Sequence, residues 1–260
     1  MGIKGKFSNW NKTFQMKKMS KNKPFCYYDL AGKFLPKNKK ARIIDVGCGS
    51  CRFEEYLKLS ERYENLVLLD GNEHRVHILR ERFNHVIPYK APDRLPFDDE
   101  SVDYIFSAHL IEHLHYEELY ELLKEFDRVL KSNGILVISS PTLWRGFYNN
   151  LDHVKPYHPM IFETYLCDLD SEDHSYNRIS SNYKREELVY RYHTFVDIDN
   201  RVGSSIKPID FLIQGLRFIT RALGLKRYTQ TGYTTILRKQ ELEVKLEKRG
   251  YVESEGIKVL

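Results

Sequence analysis

Short apolar runs alternate with helical apolar stripes between residues 41 and 140 of the chain. The runs show little polar alternation, which is typical of parallel strands that are buried on both faces. We predict five strands here, at Ala41–Val46, Leu66–Asp70, Val86–Tyr89, Val102–Ser107 and Ile135–Ser139. Apolar residues at helical spacing predict helices over Phe53–Leu59 and Leu119–Leu130. Asn133 and Gly134 are a typical helix stop and predict the end of the second helix.

This order of elements predicts a Rossmann-like α/β fold, with a doubly wound, mostly parallel sheet and helices on both faces. Sheets of this kind bind ligands at the carboxyl ends of their strands. We divide the chain into a basic arm with a lead-in helix (1–40), the Rossmann-like core (41–140), a substrate-recognition part with a loop, an insertion and an amphipathic helix (141–231), and a final strand with the C-terminal segment (232–260).

The pattern is weaker in the second half of the chain. His193–Asp199 predicts a sixth strand and Gly232–Lys239 a seventh. Between them an apolar stripe predicts an amphipathic helix, and its members are Ile209, Leu212, Ile213, Leu216, Ile219 and Leu223. Such a stripe either packs on a core or forms a surface for a membrane or a partner, and both interpretations stay open.

The composition is that of a globular protein. With 260 residues, of which 42% are hydrophobic, the chain can form one core with a sizeable insertion. No stretch approaches the roughly 18 apolar residues of a membrane span, and no apolar segment of a secretory signal follows the basic N-terminus. Four cysteines are too few for a disulfide scaffold, which favours a reducing, cytoplasmic location.

Positive charge is concentrated at the N-terminus. Residues 1–24 contain seven lysines and no acidic residue, in a chain with 41 Lys and Arg against 36 Asp and Glu. Such a run is usually a solvated arm; alternatively it contacts an anionic partner such as a phosphate-bearing glycan, lipid headgroups or nucleic acid. The second interpretation is compatible with a peripheral position at a membrane surface.

A glycine turn follows the first predicted strand. Asp45 precedes Gly47 and Gly49, and glycine lets the backbone approach a ligand closely. Nicotinamide dinucleotide folds use G-x-G-x-x-G, whose third glycine is absent here. Asp70 ends the second strand, where a carboxylate can accept hydrogen bonds from both ribose hydroxyls of an adenosine. The turn and Asp70 together predict a site for an adenosine-containing ligand.

Four blocks in this order resemble the class I S-adenosyl-L-methionine (SAM)-dependent methyltransferases, in particular their methyltransferase domain 11 group. The blocks are Ile43–Gly49, Leu68–Asp70, Leu95–Asp103, and Ile111–Leu114 leading to Val129–Leu136. The resemblance covers less than half of the chain. It implies a seven-stranded sheet, SAM as cofactor and a methyl-transfer activity.

The same resemblance implies a set of cofactor-binding residues: Asp45, Gly47, Cys48, Gly49, Asp70, Gly71, Asp93, Arg94, Ser107 and His109. The glycine turn would line the methionine part of SAM, Asp70 would bind the ribose, and the adenine would lie near Asp93 and Arg94. Ser107 and His109 would close over the sulfonium side. Two positions depart from the family pattern: Cys51 replaces a glycine and Ala91 an acidic residue.

Two features could indicate a metal, and from the sequence we predict none. Cys48 and Cys51 form a C-x-x-C pair, but no second pair completes four ligands. His109, Glu112 and His113 fit H-x-x-E-H, in which two histidines one helical turn apart bind zinc. This segment follows a parallel strand and not the helix of a peptidase fold, so we interpret Glu112 and His113 as the start and cap of a helix.

A polar, proline-stiffened loop over Leu151–Pro159 follows the fifth strand and should lie above the methyl donor. Its Asp-x-His-x-x-x-Tyr-x-Pro pattern resembles segments of methyltransferases that act on surface polysaccharides and lipid-linked glycans. A hydroxyl acceptor must lose its proton, and a neutral histidine suits this role. We predict His153 as the first candidate base and His109 as the second. Alternatively, His153 only pins the loop through backbone hydrogen bonds.

The sequence thus predicts a SAM-dependent methyltransferase that O-methylates a small molecule, a sugar, or a lipid-linked or surface glycan by in-line transfer. N-methylation of a nucleic acid or a metabolite is the alternative within the same family, although no Asn-Pro-Pro-Tyr-like block supports a base as acceptor. The alternative from another class is a SAM-binding module without catalysis, because Cys51 and Ala91 depart from the family pattern.

Overall fold

The computed structural model describes residues 19–20, 26–167, 177–195, 204–222 and 227–241. The strands are β1 (Met19–Ser20), β2 (Arg42–Val46), β3 (Asn65–Asp70), β4 (Val86–Pro88), β5 (Val102–Ala108), β6 (Leu130–Pro141), β7 (Tyr183–Phe195) and β8 (Arg227–Lys239). The helices are α1 (Cys26–Gly32), α2 (Arg52–Leu57), α3 (Leu59–Arg62), α4 (Glu73–Leu79), α5 (Tyr116–Val129), α6 (Met160–Leu166) and α7 (Lys207–Ala222). Two 3₁₀ turns lie at Ile111–His113 and Phe147–Asn149.

All of these strands form one sheet, in the order β1-β7-β8-β6-β5-β2-β3-β4. Strand β8 is antiparallel to both of its neighbours, and every other pair is parallel. The predicted Rossmann-like, mostly parallel sheet is confirmed, with the two-residue β1 added to seven longer strands at one edge. The carboxyl ends of β2, β3 and β5 lie side by side, which is where a ligand is expected.

Helices cover both faces of the sheet. Helices α5 and α6 pack on one face, where Phe126 and Phe162 are fully buried. Helices α1 to α4 cover the other face, where Phe53 is buried. Strand β2 sends Ile44 to the first core and Ile43 to the second. A strand that packs on both sides needs apolar residues at successive positions, which explains its unbroken apolar run.

The end of α5 differs from the prediction. The helix ends at Val129, and Leu130 already pairs with Val102 in the sheet. Asn133, with φ of +66°, and Gly134 lie inside β6 and do not stop the helix. A Cβ on Gly134 would lie 2.7 Å from the Leu130 side chain, so the glycine permits close packing within the strand. The predicted stop was wrong because strand pairing and burial of Leu130 outweigh the local turn signal.

The second half has more regular structure than its pattern indicates. Strand β7 begins at Tyr183, well before the predicted His193, and pairs with β8 along its length. Residues 196–199 of that predicted strand lie outside the described part of the chain. The predicted final strand is confirmed and begins earlier, at Arg227.

Helix α7 turns its apolar side chains outward in the described structure. Six of them are between 45% and 78% exposed: Ile209, Phe211, Leu212, Leu216, Phe218 and Ile219. Within the described residues the stripe therefore does not pack on a core, which favours the surface interpretation. Leu223 and the lysine arm lie outside the described residues. No helix of the described residues is long and apolar enough to span a membrane.

Candidate active site

The turn after β2 brings backbone amides to the carboxyl end of the sheet. Gly47 and Gly49 have φ of +80° and +57°, a left-handed conformation that glycine adopts without strain. The amides of Gly47 and Cys48 donate to the Leu69 carbonyl at 2.8 and 3.0 Å, which ties the turn to β3. A Cβ on Gly47 would lie 3.2 Å from Leu110 Cβ, so a side chain there would press on the segment after β5.

Cys51, one of the departures from the family pattern, takes up the conformation of the glycine that it replaces. Its φ is +57°, and it is fully buried at the N-terminus of α2. The turn therefore forms with a cysteine where the family has a glycine, and it bears the steric cost of a left-handed non-glycine residue. Contact with Cys51 and burial raise the pKa of the Cys48 thiol well above its ordinary value.

Asp70 lies beside the turn at the end of β3. Its Oδ2 accepts from Gly49 N and its Oδ1 from Asn72 N, both at 2.9 Å. The Arg75 guanidinium contacts the two oxygens at 3.2 and 3.3 Å. Asp70 is buried, whereas the Arg75 side chain is 45% exposed. Backbone amides thus orient the carboxylate. The long, partly exposed Arg75 side chain occupies the positions at which ribose hydroxyls are expected to bind.

These elements line one cavity of about 790 Å³, a size that suits a nucleotide-like ligand. Seven of the predicted cofactor residues line it: Asp45, Gly47, Cys48, Gly49, Asp70, Gly71 and His109. The lining residues that the sequence did not indicate are Tyr27, Tyr28, Ser50, Arg52, Phe53, Asn72, Arg75, Phe106, Ala108, Leu110, His113 and Asp152. Most of these follow the motif residues directly in the chain, but nothing in the sequence marks the two tyrosines of α1.

Three predicted cofactor residues lie elsewhere. Arg94 lines a separate cavity at the amino ends of β2 and β3. Asp93 is exposed and lines neither cavity, and its carbonyl accepts the Tyr89 hydroxyl at 2.7 Å. Ser107 is buried, and its hydroxyl donates to a carbonyl of β2 at 3.0 Å. The chain after β4 must return to the amino end of the parallel β5, which carries Asp93 and Arg94 away from the cofactor cavity.

Two carboxyl groups are buried beneath the glycine turn. Asp45 is 3% exposed and Glu54 is 1% exposed, and neither makes an ion pair with a described residue. Burial raises the pKa of both groups, and for Asp45 the neighbouring Glu54 raises it further. Two buried carboxyls that are close together retain a proton between them. A cation that enters the cavity beside Asp45 would favour the ionised form of the pair.

Replacing Glu54 by glutamine is expected to raise the free energy of unfolding by about 1–3 kcal/mol at pH 8, because an amide is neutral and can donate to Asp45. Above the ordinary pKa of Glu, 4.5, the folded protein binds more protons than the unfolded chain, so the wild type loses stability as the pH rises. The gain should be absent at pH 4 and grow towards pH 8. Denaturant titrations without SAM measure it, with the exposed Glu61→Gln as control; equal gains at both pH values would contradict the assignment.

His109 lies on the cavity wall directly after β5. Its φ of +57° is unusual for a residue with a side chain, and such strain is common at functional sites. Its Nδ1 lies 3.1 Å from Glu112 Oε1, and its Nε2 lies 3.2 Å from a guanidinium nitrogen of Arg191. Because a guanidinium only donates, Nε2 accepts and Nδ1 carries the proton towards Glu112. The ring is thus a neutral histidine that a carboxylate orients.

Glu112 is fully buried between two polar partners. Its Oε1 faces His109, and the Ser140 hydroxyl donates to its Oε2 at 3.2 Å. Burial raises the pKa of this carboxyl, and the hydrogen bond from the His109 ring is the largest of the effects that lower it; the net shift is downward. Glu112 is therefore an anion inside the protein.

His113 and His153 face each other next to Glu112, with ring centroids 5.1 Å apart. His113 Nδ1 lies 2.9 Å from the Asp152 carbonyl, and His153 Nδ1 lies 2.6 Å from the Phe147 carbonyl. His113 lines the cofactor cavity, whereas His153 lies behind it and does not. The hydrogen bond to the Phe147 carbonyl holds the loop in place, which is the alternative role of His153 that the sequence analysis left open.

The H-x-x-E-H segment does not have the geometry of the zinc-protease signature. Ile111–His113 form a 3₁₀ turn, and His109 precedes it with a positive φ. His109 and His113 are therefore not one α-helical turn apart. Glu112 and His113 also do not start α5, which begins at Tyr116 after the N-cap His115.

Part of the chain is similar to a known family of domains. Residues 44–138 match the family model described as a methyltransferase domain. Curated relatives include the probable methyltransferase PMT6 of Arabidopsis thaliana, 31% identical over 106 residues, which are 40% of this chain and 18% of that protein. The ubiquinone/menaquinone biosynthesis C-methyltransferase UbiE of Campylobacter jejuni is 29% identical over 106 residues, or 38% of this chain and 44% of that protein. The chain thus spans less than half the length of these relatives.

Solved structures share the fold. A SAM-dependent methyltransferase from Archaeoglobus fulgidus superimposes with a TM-score of 0.53 at 20% identity, covering 90% of this chain and 99% of that one. TehB of Haemophilus influenzae gives a TM-score of 0.52 at 14% identity, covering 83% of this chain and 62% of that one. The sheet order, the glycine turn and the match to residues 44–138 agree with these similarities. Residues 44–138 therefore form a SAM-dependent methyltransferase domain with the class I fold, and SAM is its cofactor.

Proposed function

We propose that the protein transfers the methyl group of SAM to a hydroxyl group of a small molecule, a sugar or a lipid-linked glycan. The observation that supports this acceptor chemistry is the His109–Glu112 pair on the wall of the cofactor cavity, with 3.1 Å between Nδ1 and Oε1. Displacement at a sulfonium needs alignment of donor and acceptor, and a hydroxyl must in addition lose its proton. A neutral histidine that is held by a buried anion supplies a base for that proton.

His109 is the base in this proposal. The anionic Glu112 holds the ring in the tautomer whose Nε2 accepts, and it would stabilise the imidazolium after proton transfer. Arg191 donates to the same Nε2 and lies over the Tyr27 ring at 4.8 Å. An acceptor hydroxyl would have to replace this donor, so we expect Arg191 to shift when the acceptor binds.

His153, the first candidate base from the sequence, has a different position. It is half-buried, hydrogen-bonded to the Phe147 carbonyl and outside the cavity lining. We therefore propose His109 as the residue that meets the acceptor and assign His153 a supporting role, which is developed below.

The acceptor class determines the chemical stability of the product. Incubation with SAM labelled in the methyl group and with cell-extract fractions should label material that survives mild alkali, because a methyl ether is stable to mild base. Fractions of sugars, lipid-linked glycans, quinone precursors and RNA should be compared. Label that becomes soluble on nuclease digestion, or that follows the quinone fraction, would indicate an acceptor of another class and would contradict the proposal.

The lysine arm and α7 indicate the surface at which the protein would bind such an acceptor. We propose that the seven lysines of residues 1–24 attract an anionic acceptor or surface, and that the exposed apolar side of α7 contributes to a peripheral membrane position. We also propose a cytoplasmic location, which the cysteine content supports. The loop at Leu151–Pro159 supports a glycan acceptor.

A further inference from the structure

We propose that Glu112, His113 and His153 bind one divalent metal ion of the zinc type at the edge of the cofactor cavity. One potential ligand atom from each residue lies within 4.8 Å of the others, among the described residues. Two imidazoles and one carboxylate are a ligand set that zinc uses where a fourth position stays open. This proposal departs from the absence of a metal that the sequence predicts, and it uses a different set of residues from the H-x-x-E-H signature.

The ring nitrogens of both histidines are arranged as in metal sites. Each Nδ1 lies at hydrogen-bond distance from a carbonyl oxygen, 2.9 Å for His113 and 2.6 Å for His153. A carbonyl only accepts, so each Nδ1 carries a proton and each Nε2 keeps its lone pair. Histidines that bind metals usually donate their other N–H to a carbonyl or a carboxylate in this way. Both rings are thus fixed in the tautomer that a metal requires.

The carboxylate is also prepared for a cation. Glu112 is fully buried, and its two oxygens are oriented by His109 and by the Ser140 hydroxyl. A buried anion is costly unless charge is supplied nearby. A divalent ion bound to the three ligands would supply that charge, and the hydrogen bonds to the carboxylate oxygens resemble those that orient metal-binding carboxylates.

The loop that carries His153 is attached to the turn that carries the other two ligands. Val154 N donates to the Glu112 carbonyl at 2.8 Å, and the Asp152 carbonyl accepts from His113. His113 and Asp152 both line the cofactor cavity. The open coordination position can therefore face the cavity.

The metal would deepen the proposed function, on which its catalytic use rests. An acceptor hydroxyl that takes the open position has a lowered pKa. Its O–H bond breaks and the proton passes to His109, while an oxygen lone pair forms the bond to the methyl carbon. The S–CH₃ bond breaks, and its electron pair stays on sulfur. The products are the methyl ether, S-adenosylhomocysteine and a protonated His109 that returns its proton to solvent, with no change in the oxidation state of the metal.

Metal binding can be tested without SAM or acceptor. Tag-free full-length protein is stripped with a chelator and titrated with Co²⁺, whose visible d–d absorption reports its coordination, and Zn²⁺ is then added as competitor. We expect one Co²⁺ per chain, displaced by Zn²⁺. His153→Ala should weaken binding by more than about 100-fold and Ser140→Ala by about 10–100-fold. His77→Ala, which removes an exposed histidine of α4, should leave binding unchanged.

Absence of stoichiometric Co²⁺ binding, or equal affinity in wild type and His153→Ala, would overturn the site. Both substituted histidines are partly or fully exposed, and thermal melting of each variant checks its folding. In a separate assay, chelated wild type should lose methyl transfer and regain it with Zn²⁺, whereas full activity without metal would overturn the catalytic use. If the proposed function fails and no hydroxyl is methylated, the Co²⁺ spectrum still reports the site, so the two failures are distinguishable.

Discussion

Replacement of Asp70 by alanine is expected to weaken SAM binding by roughly 2–4 kcal/mol, or about 30- to 900-fold in Kd. The buried carboxylate lies at the end of β3, and two backbone amides orient it towards the cavity. By family resemblance we expect it to accept hydrogen bonds from both ribose hydroxyls, and such bonds are charge-assisted. Isothermal titration calorimetry with SAM measures the loss.

Two further variants make this test specific. Asp70 also accepts from Gly49 N and Asn72 N, one at each oxygen, so Asp70→Asn keeps one of these two acceptors and should bind SAM with intermediate affinity. Asp93→Ala removes an exposed carboxylate that the sequence places near the adenine and the structure places outside the cavity. We expect that variant to change Kd by less than about threefold. Unchanged SAM affinity in Asp70→Ala would remove the cofactor site from this cavity.

Replacement of His109 by asparagine is expected to lower kcat by about 10²–10⁴-fold, with little change in SAM affinity. Asparagine tolerates the left-handed backbone of this position, so the loss would report the missing base and not added strain. Because a histidine base must be neutral, the wild-type rate should fall on the acid side of the pH profile. That limb of the pH profile should be absent from the variant.

A matched substitution in the neighbouring loop controls for indirect effects. His158→Ala removes an exposed histidine of the same loop that carries His153, outside the cofactor cavity, and should leave kcat and the pH profile unchanged. If His109→Asn retained most of kcat together with the acid limb of the pH profile, His109 would not be the base.

The strands and the glycine turn could be predicted from sequence because their signals are local. Unbroken apolar runs mark strands that are buried on both faces, and the order of blocks fixes which strand ends carry Gly47 and Asp70. The end of α5 was missed because Leu130 pairs with β5, a contact that no local pattern reports. Strand β7 was underestimated because its residues are largely polar and half-exposed, so they lack the apolar run of a central strand.

The candidate site could also be predicted only where its signals are local. Residues within a motif, such as Asp45 and His109, were predicted to line the cavity and do so. Asp93 was placed by analogy with a block whose acidic residue is missing, and the return of the chain to β5 carries it elsewhere. The proximity of His113 to His153, and of Asp45 to Glu54, depends on packing between separate segments. Spacing along the chain cannot indicate such contacts.

The central claim, that this domain transfers methyl groups and does not only hold SAM, is tested most directly by product formation. Wild-type protein, methyl-labelled SAM and an acceptor fraction should give S-adenosylhomocysteine and labelled acceptor in equal amounts. Asp70→Ala should give at least about 15-fold less of both at SAM concentrations near the wild-type Kd. Tight SAM binding by the wild type without S-adenosylhomocysteine, in the presence of Zn²⁺ and across all acceptor fractions, would contradict the account and indicate a SAM-binding module.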